Sequence, residues 1–406
     1  MDSIITAAAR DLAAANPLGA LNLIALRDDA PALALRGIAM AQLGDLARAK
    51  LLLKRATRAF GARESVARAR CTVAEAEIAL VSRDLNWPVK TLEAARAVLE
   101  RHGDRANAAH ARYLAIRRLI LIGRIDDAEE LLAGFDAAPL PPALRAAHEL
   151  VVAGIALRRL RTQSARAALA QAERAARQAR IPSLLAEVEA AAMALTIPAA
   201  RKIARGAETA LRLDDVEALL QSQTLVVDAC RHVLSQAGET ISLERRPVLL
   251  ALARALAEAW PRDASRELLL SRAFGAREAD GSHRARLRVE IGRLRKAIGR
   301  FADIDATKDG FALAPRGSQN VAVLAPPGDD DHAAVLALLS DGEAWSSSAL
   351  ALALGASQRT LQRALDDLSA SGKVRPVGRA RAQRWMAAPL PGFPTSLLLT
   401  AALPGS

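Results

Sequence analysis

Residues 288–301 read RVEIGRLRKAIGRF, a segment with five large apolar and five basic side chains. Together with Leu287, the residues Ile291, Leu294, Ile298 and Phe301 fall at three- and four-residue spacing, the stripe of a helix that lies on a core. That stripe leaves Arg284, Arg286, Arg288, Arg293 and Lys296 on or near the outer face, with Glu290 as the single acid on the helix. A helix that needs only solubility mixes signs along its exposed side. The bias points to a polyanion, and the flanking sequence says which kind.

Upstream, TLVVDACRHVLSQAGETISL (224–243) alternates and carries β-branched residues, so it reads as short strands with a turn at Gln236-Ala237-Gly238. ERRPVLLALARALAEAW (244–260) is one amphipathic helix, and SRELLLSRAF (265–274) is a second, introduced by Asp263-Ala264-Ser265. The third helix runs through residues 282–301 with Ser282 as its cap, and ADIDATKDGFALAP (302–315) forms two short strands around Asp309-Gly310. In this order the residues resemble the OmpR/PhoB-type winged-helix effector domain over about 224–316, most specifically in ISL, RLRKAI and DGFALAP.

That resemblance implies a third helix in the major groove of DNA and a hairpin on the adjacent minor groove. It assigns DNA contacts to Arg286, Arg288 and Arg293 and places Thr307 and Lys308 where the hairpin meets the backbone. The family's arginine at Arg295 often serves the domain's own structure. Glu290 and Gly292 depart from the family, which has polar or basic side chains there. Either Glu290 accepts from cytosine N4 and Gly292 permits close approach, or base reading is lost.

Beyond a Pro/Gly and acidic linker at 317–331, which includes VAVLAPPGDDD, residues 332–387 resemble a second winged helix-turn-helix. Leu350, Ala351 and Leu354 belong to its first motif helix, Gly355 makes the turn, and Ser357 caps a helix whose Leu361, Ala364, Leu365 and Leu368 pack inward. Gln358, Arg359, Thr360, Gln362 and Arg363 are left on the exposed side, where such helices reach base edges. After Gly372, a hairpin carries Lys373, Arg375, Arg379, Arg381 and Arg384 without an acid. The tail at 388–406 is Pro-rich with an apolar middle.

The first half has a different texture. In ALALRGIAMAQLGDLARAKLLLKRATRAF (32–60), Gly37, Ala47, Ala49 and Ala56 alternate with Met40, Leu43, Leu46 and Leu53, as in two closely packed helices turning at Gly44-Asp45. The pattern returns near Asn86, at Gly123 and near Thr162, at a spacing of roughly 40 residues. It resembles a tetratricopeptide repeat, so residues 1–198 are expected to stack as a helical array with a concave binding face. Residues 199–222 read as a basic helical connector. Trp87 and Tyr113 are expected in the repeat core.

Composition sets the frame: of 406 residues, 25% are charged, 51% apolar and only 3% aromatic, which favours packed helices. A formal charge of +12 and a pI near 10.7 favour an anionic partner. Cys71 and Cys230 suit reduced core thiols. Asp2 stands where a signal peptide has a cation, and no apolar run reaches membrane-span length. His102, His110, His148, His232, His283 and His332 show no metal-ligand spacing and are expected mostly at the surface or at caps. No Walker loop, H-E-x-x-H or G-x-S-x-G occurs, so neither an enzyme, a metal nor a cofactor is expected.

The expectation is therefore a mainly α chain with an N-terminal tetratricopeptide-like solenoid and two C-terminal winged helix-turn-helix domains. Its function would be that of a bacterial, cytoplasmic, nucleoid-associated transcriptional regulator binding double-stranded DNA. A protein or small effector would bind the repeats, and a homodimer is compatible. An interaction scaffold and an architectural DNA binder without specific target are the alternatives. Similar parts occur in bacterial antibiotic-regulatory activators, but with the repeats after the winged helix.

Overall fold

The computed structural model describes residues 2–274, 281–317, 320–327, 332–339, 344–354, 356–377 and 383–387. Among these the chain is mainly helical, and no helix is long and apolar enough to cross a membrane. It divides into two compact units, Met1–Met193 with Ala334–Ser406, and Ala194–Ala333.

The first unit opens with α1 (Ser3–Ala13) and α2 (Pro17–Ile24), capped by the Asp2 and Asn16 side chains. Four helix pairs follow: α3 (Ala30–Gln42) with α4 (Leu46–Ala59), α5 (Ser65–Val81) with α6 (Val89–Arg101), α7 (Arg105–Leu121) with α8 (Ile125–Leu132), and α9 (Pro142–Arg158) with α10 (Thr162–Ala179). A last helix, α11 (Pro182–Met193), packs on α9 and α10. Each pair closes on itself, and the first helices touch in succession, α3 to α5, α5 to α7 and α7 to α9. Small residues permit this approach: a Cβ on Gly37 would lie 2.8 Å from Leu53 Cγ.

All four turns read from the sequence lie between the helices of a pair. They share one hydrogen-bond pattern, in which Asp45, Asp84, Arg124 and Arg161 donate their amides to Met40, Ala79, Leu119 and Ala156. The preceding residues, Gly44, Arg83, Gly123 and Leu160, are left-handed. The turns recur 37 to 40 residues apart, the spacing expected from the sequence, while contacts between neighbouring pairs link residues 33 to 35 apart: Lys50 with Asp84, Arg70 with Asp104, His110 with Glu77, Tyr113 with His148. Tyr113 is 1% exposed and meets Phe135 edge-on at 5.7 Å, as expected of a core residue, whereas Trp87 is half-buried. His110 departs from the surface expectation, because its Nε2 lies 2.9 Å from Glu77 Oε2 and both side chains are buried.

The second unit is built on a six-stranded sheet in the order β2-β1-β9-β3-β4-β5. Its strands β1 (Ala200–Ala204) and β2 (Ala207–Leu211) form a hairpin, followed by α12 (Leu213–Gln221). This corrects the helical connector expected over 199–222. Arg205 and Gly206 both adopt positive φ, the two-residue turn that matches strand twist, so the basic segment folds back as sheet. Next come β3 (Leu225–Asp228), β4 (Val233–Gln236) and β5 (Glu239–Ser242), with Ala237 and Gly238 turning at positive φ as expected.

Three helices follow: α13 (Pro247–Ala259) packs on the sheet, and α14 (Arg266–Phe274) and α15 (Gly281–Ile298) pack on α13 and on each other. A short strand, β6 (Ala264–Ser265), pairs with β8 (Gly310–Pro315), which pairs with β7 (Ala302–Ala306). The stripe Leu287, Ile291, Leu294, Ile298 and Phe301 is buried in one core with α13, α14 and the strands.

The chain then returns to the sheet. Within the expected linker 317–331, β9 (Val321–Ala325) is buried along its whole length, antiparallel to β1 and parallel to β3. A continuous apolar run buried on both faces is what a central strand requires. The Pro-Pro-Gly and acidic residues that mark a linker begin only after it.

The C-terminal segment belongs to the first unit. It comprises α16 (Ala333–Leu339), α17 (Ser347–Leu354), α18 (Gln358–Ala370) and a hairpin of β10 (Val374–Val377) with β11 (Arg384–Ala387). Trp345 exchanges two backbone hydrogen bonds with Trp385 and is fully buried. Its core is continuous with that of α5, α6 and α7.

Candidate nucleic-acid interface

The burial of its stripe fixes which side of α15 faces solvent. Arg284, Arg286, Arg288, Arg293 and Lys296 are all exposed. Arg284, Arg288 and Lys296 have no ion pair or hydrogen bond among the described residues. Arg286 stacks its guanidinium 4.5 Å from the centroid of Phe274, which holds the side chain without neutralising it. Arg293 donates to Glu290 at 2.8 Å, so the single acid of α15 is engaged by a neighbour on its own helix. Ser282 as a side-chain cap lies outside the described residues.

The β7–β8 turn is closed by its own polar groups. The Thr307 hydroxyl donates to Asp263 at 2.6 Å and accepts from the Gly310 amide at 2.9 Å. Arg266 donates to the carbonyls of Thr307 and Lys308. Thr307 thus shapes the turn, and Lys308 is left exposed at its tip. Arg295 donates Nε to the Ile304 carbonyl at 3.0 Å, tying α15 to β7, which is the structural part foreseen for it.

Sequence reasoning passed over two features of this surface. Val289 is 54% exposed between Arg288 and Glu290, an apolar side chain set among charged ones. A groove of about 700 Å³ runs between the start of α13 and α15, lined by Arg246, Pro247, Glu290, Arg293 and Lys296. The exposure of Val289 was derivable from its place off the apolar stripe.

In the other unit, α18 presents a second set. The Ser357 hydroxyl accepts from the Thr360 amide at 3.1 Å and lies 2.9 Å from the Thr360 hydroxyl, so both residues build the helix start. Gln362 donates to Asp366 at 2.9 Å. Gln358, Arg359 and Arg363 are exposed with no partner among the described residues. Arg375 is exposed on β10, while Arg384 on β11 is half-buried and faces Val377. The turn at Gly355, Arg379, Arg381 and the tail 388–406 lie outside the described residues. The two expected reading helices therefore stand in separate units, α15 in one and α18 in the other.

Away from these surfaces, Cys71 is buried as expected, and burial pushes its thiol up to about 12. Cys230 is exposed, contrary to the expectation of a core thiol, because it follows the end of β3 in a turn made by Asp228. Among the described residues no group of three or more His, Cys, Asp or Glu side chains could hold a metal ion. Comparison with protein-family models, curated proteins and solved structures returned no match to this chain.

Proposed function

We propose that the chain binds duplex DNA through the outer faces of α15 and α18, each the recognition helix of a winged helix-turn-helix, and acts as a transcriptional regulator. The helix pairs α3 to α10 serve as a tetratricopeptide-like array for a protein or small effector. The observation that carries the reading is the trio Arg284, Arg288 and Lys296, exposed beside a fully buried stripe and without a counter-ion among the described residues. Three such cations on one face repel one another unless an anion meets them, and phosphates spaced along a duplex supply it. Arg359 and Arg363 give α18 the same character, with Gln358 beside them for base edges.

Binding of the full chain to random-sequence duplex at two salt concentrations tests this. Affinity should fall steeply with salt, by about 0.9 in the logarithm of K for each phosphate neutralised per decade of salt. Selection from a random pool should yield a consensus that Arg288→Ala or Arg359→Ala relaxes, whereas Lys308→Ala weakens all sequences alike. No binding in dilute buffer returns the molecule to an interaction scaffold. Binding without a consensus makes it an architectural protein.

A further inference from the structure

The four corners between paired helices share one closing hydrogen bond and one left-handed residue, but the α5–α6 corner is longer, residues 82–88 against three residues at each of the others, and the left-handed residue differs. At two of them the left-handed residue is glycine, Gly44 and Gly123, which adopts that conformation without strain. At the α9–α10 corner it is Leu160, and at the α5–α6 corner it is Arg83, with φ of 52°. Arg83 places its guanidinium 5.4 Å from the centroid of Trp345 and donates Nη1 to the Leu80 carbonyl at 2.9 Å. Three residues on, Asn86 donates to the Ser348 hydroxyl at 3.3 Å. A strained arginine is thus held where its side chain meets the C-terminal segment, and the buried cores of the two parts merge there.

We propose that the α5–α6 corner is a docking surface for the chain's own C-terminal module, residues 332–387, and that Arg83 is its latch. Docking leaves Gln358, Arg359 and Arg363 outward, so the array acts as a mount that orients α18 rather than a lid that covers it. The latch includes a cation over an indole and, at the neighbouring Asn86, a neutral hydrogen bond, both at the rim of a shared core. Occupation of the array by its partner has a direct route to the C-terminal module through this corner. The inference concerns contacts inside the chain and stands whether or not α18 binds DNA.

Hydrogen exchange on the full chain separates a latch from a merely structural residue. Arg83→Gly suits the left-handed corner, so α3 to α10 should keep or gain protection while residues 344–354 exchange about tenfold faster. Arg83→Lys keeps a cation over Trp345 and should restore most of that protection. Leu160→Gly relieves the equivalent strain away from the module and should leave 344–354 unchanged. The proposal is overturned if Arg83→Gly leaves 344–354 unchanged, if it raises exchange evenly through the array, or if Leu160→Gly has the same effect on 344–354.

Discussion

Arg293 and Glu290, one turn apart on α15, are joined by a 2.8 Å ion pair in which the carboxylate is mostly buried and the guanidinium mostly exposed. The pair holds Arg293 in one orientation and places a negative charge inside a groove whose other charged lining residues are Arg246, Arg293 and Lys296. Removing the acid releases both constraints. Glu290→Ala should raise affinity for duplexes of any sequence and steepen the salt dependence by about one unit of slope, measured by titration at several ionic strengths. Unchanged affinity and slope would show that α15 does not face the anion.

Arg288 and Arg295 lie on the same basic helix and have opposite assignments. Arg295→Ala strips two donors from the Ile304 carbonyl and should cost roughly 1 to 2 kcal/mol in a denaturant melt. Arg288 is exposed and makes no hydrogen bond or ion pair among the described residues, so Arg288→Ala should leave stability within about 0.5 kcal/mol and alter only ligand binding. Equal losses of stability would sink the division of labour between them.

The close approach of β8 to β6 gives a sharper test of the hairpin. A Cβ on Gly310 would lie 1.8 Å from the Ala264 carbonyl oxygen, a backbone atom that has no rotamer to yield. Gly310→Ala should cost about 3 kcal/mol or more and loosen the Thr307 turn with it. Thermal unfolding of the purified variant checks this, and a melt within a degree of the parent would refute the pairing.

Asp228 makes stability depend on pH. Burial pushes its carboxyl above the usual carboxylate range, although the amides of Cys230 and Arg231 and the Arg231 charge pull the other way. A carboxyl raised in the folded state binds its proton more tightly there than in the unfolded chain. Its stabilising share is therefore full below the unfolded value and is lost as pH rises through the folded one. Asp228→Asn keeps an oxygen for the two amides and carries no charge, so it should match or exceed the parent near neutrality, with the gain shrinking as pH falls. A gain that grows on acidification would reverse the assignment.

Sequence periodicity exposed the parts of the molecule in which burial and spacing agree. The α15 stripe, the two helices before it and the β7–β8 turn are each specified by local residues, and so are the inward positions of α18. What escaped depends on partners remote in sequence. Val321 to Ala325 is too short to announce itself beside the prolines that follow, and only β1 and β3 make it a strand. Arg205-Gly206 is a two-residue turn hidden in a basic run. His110 shows no pattern of its own, because the Glu77 that buries it comes from the preceding helix pair. The Thr307 hydroxyl looked available until Asp263, 44 residues earlier, claimed it.

The position of β9 also orders events at the ribosome. Strands from residues 200–211 and 225–242 have no bridge until Val321 to Ala325 emerge and slip between them, by which time α13, α14, α15 and the hairpin have already been synthesised. A nascent chain halted at residue 316 carries every basic side chain of the α15 surface and lacks the strand that joins the sheet beneath it.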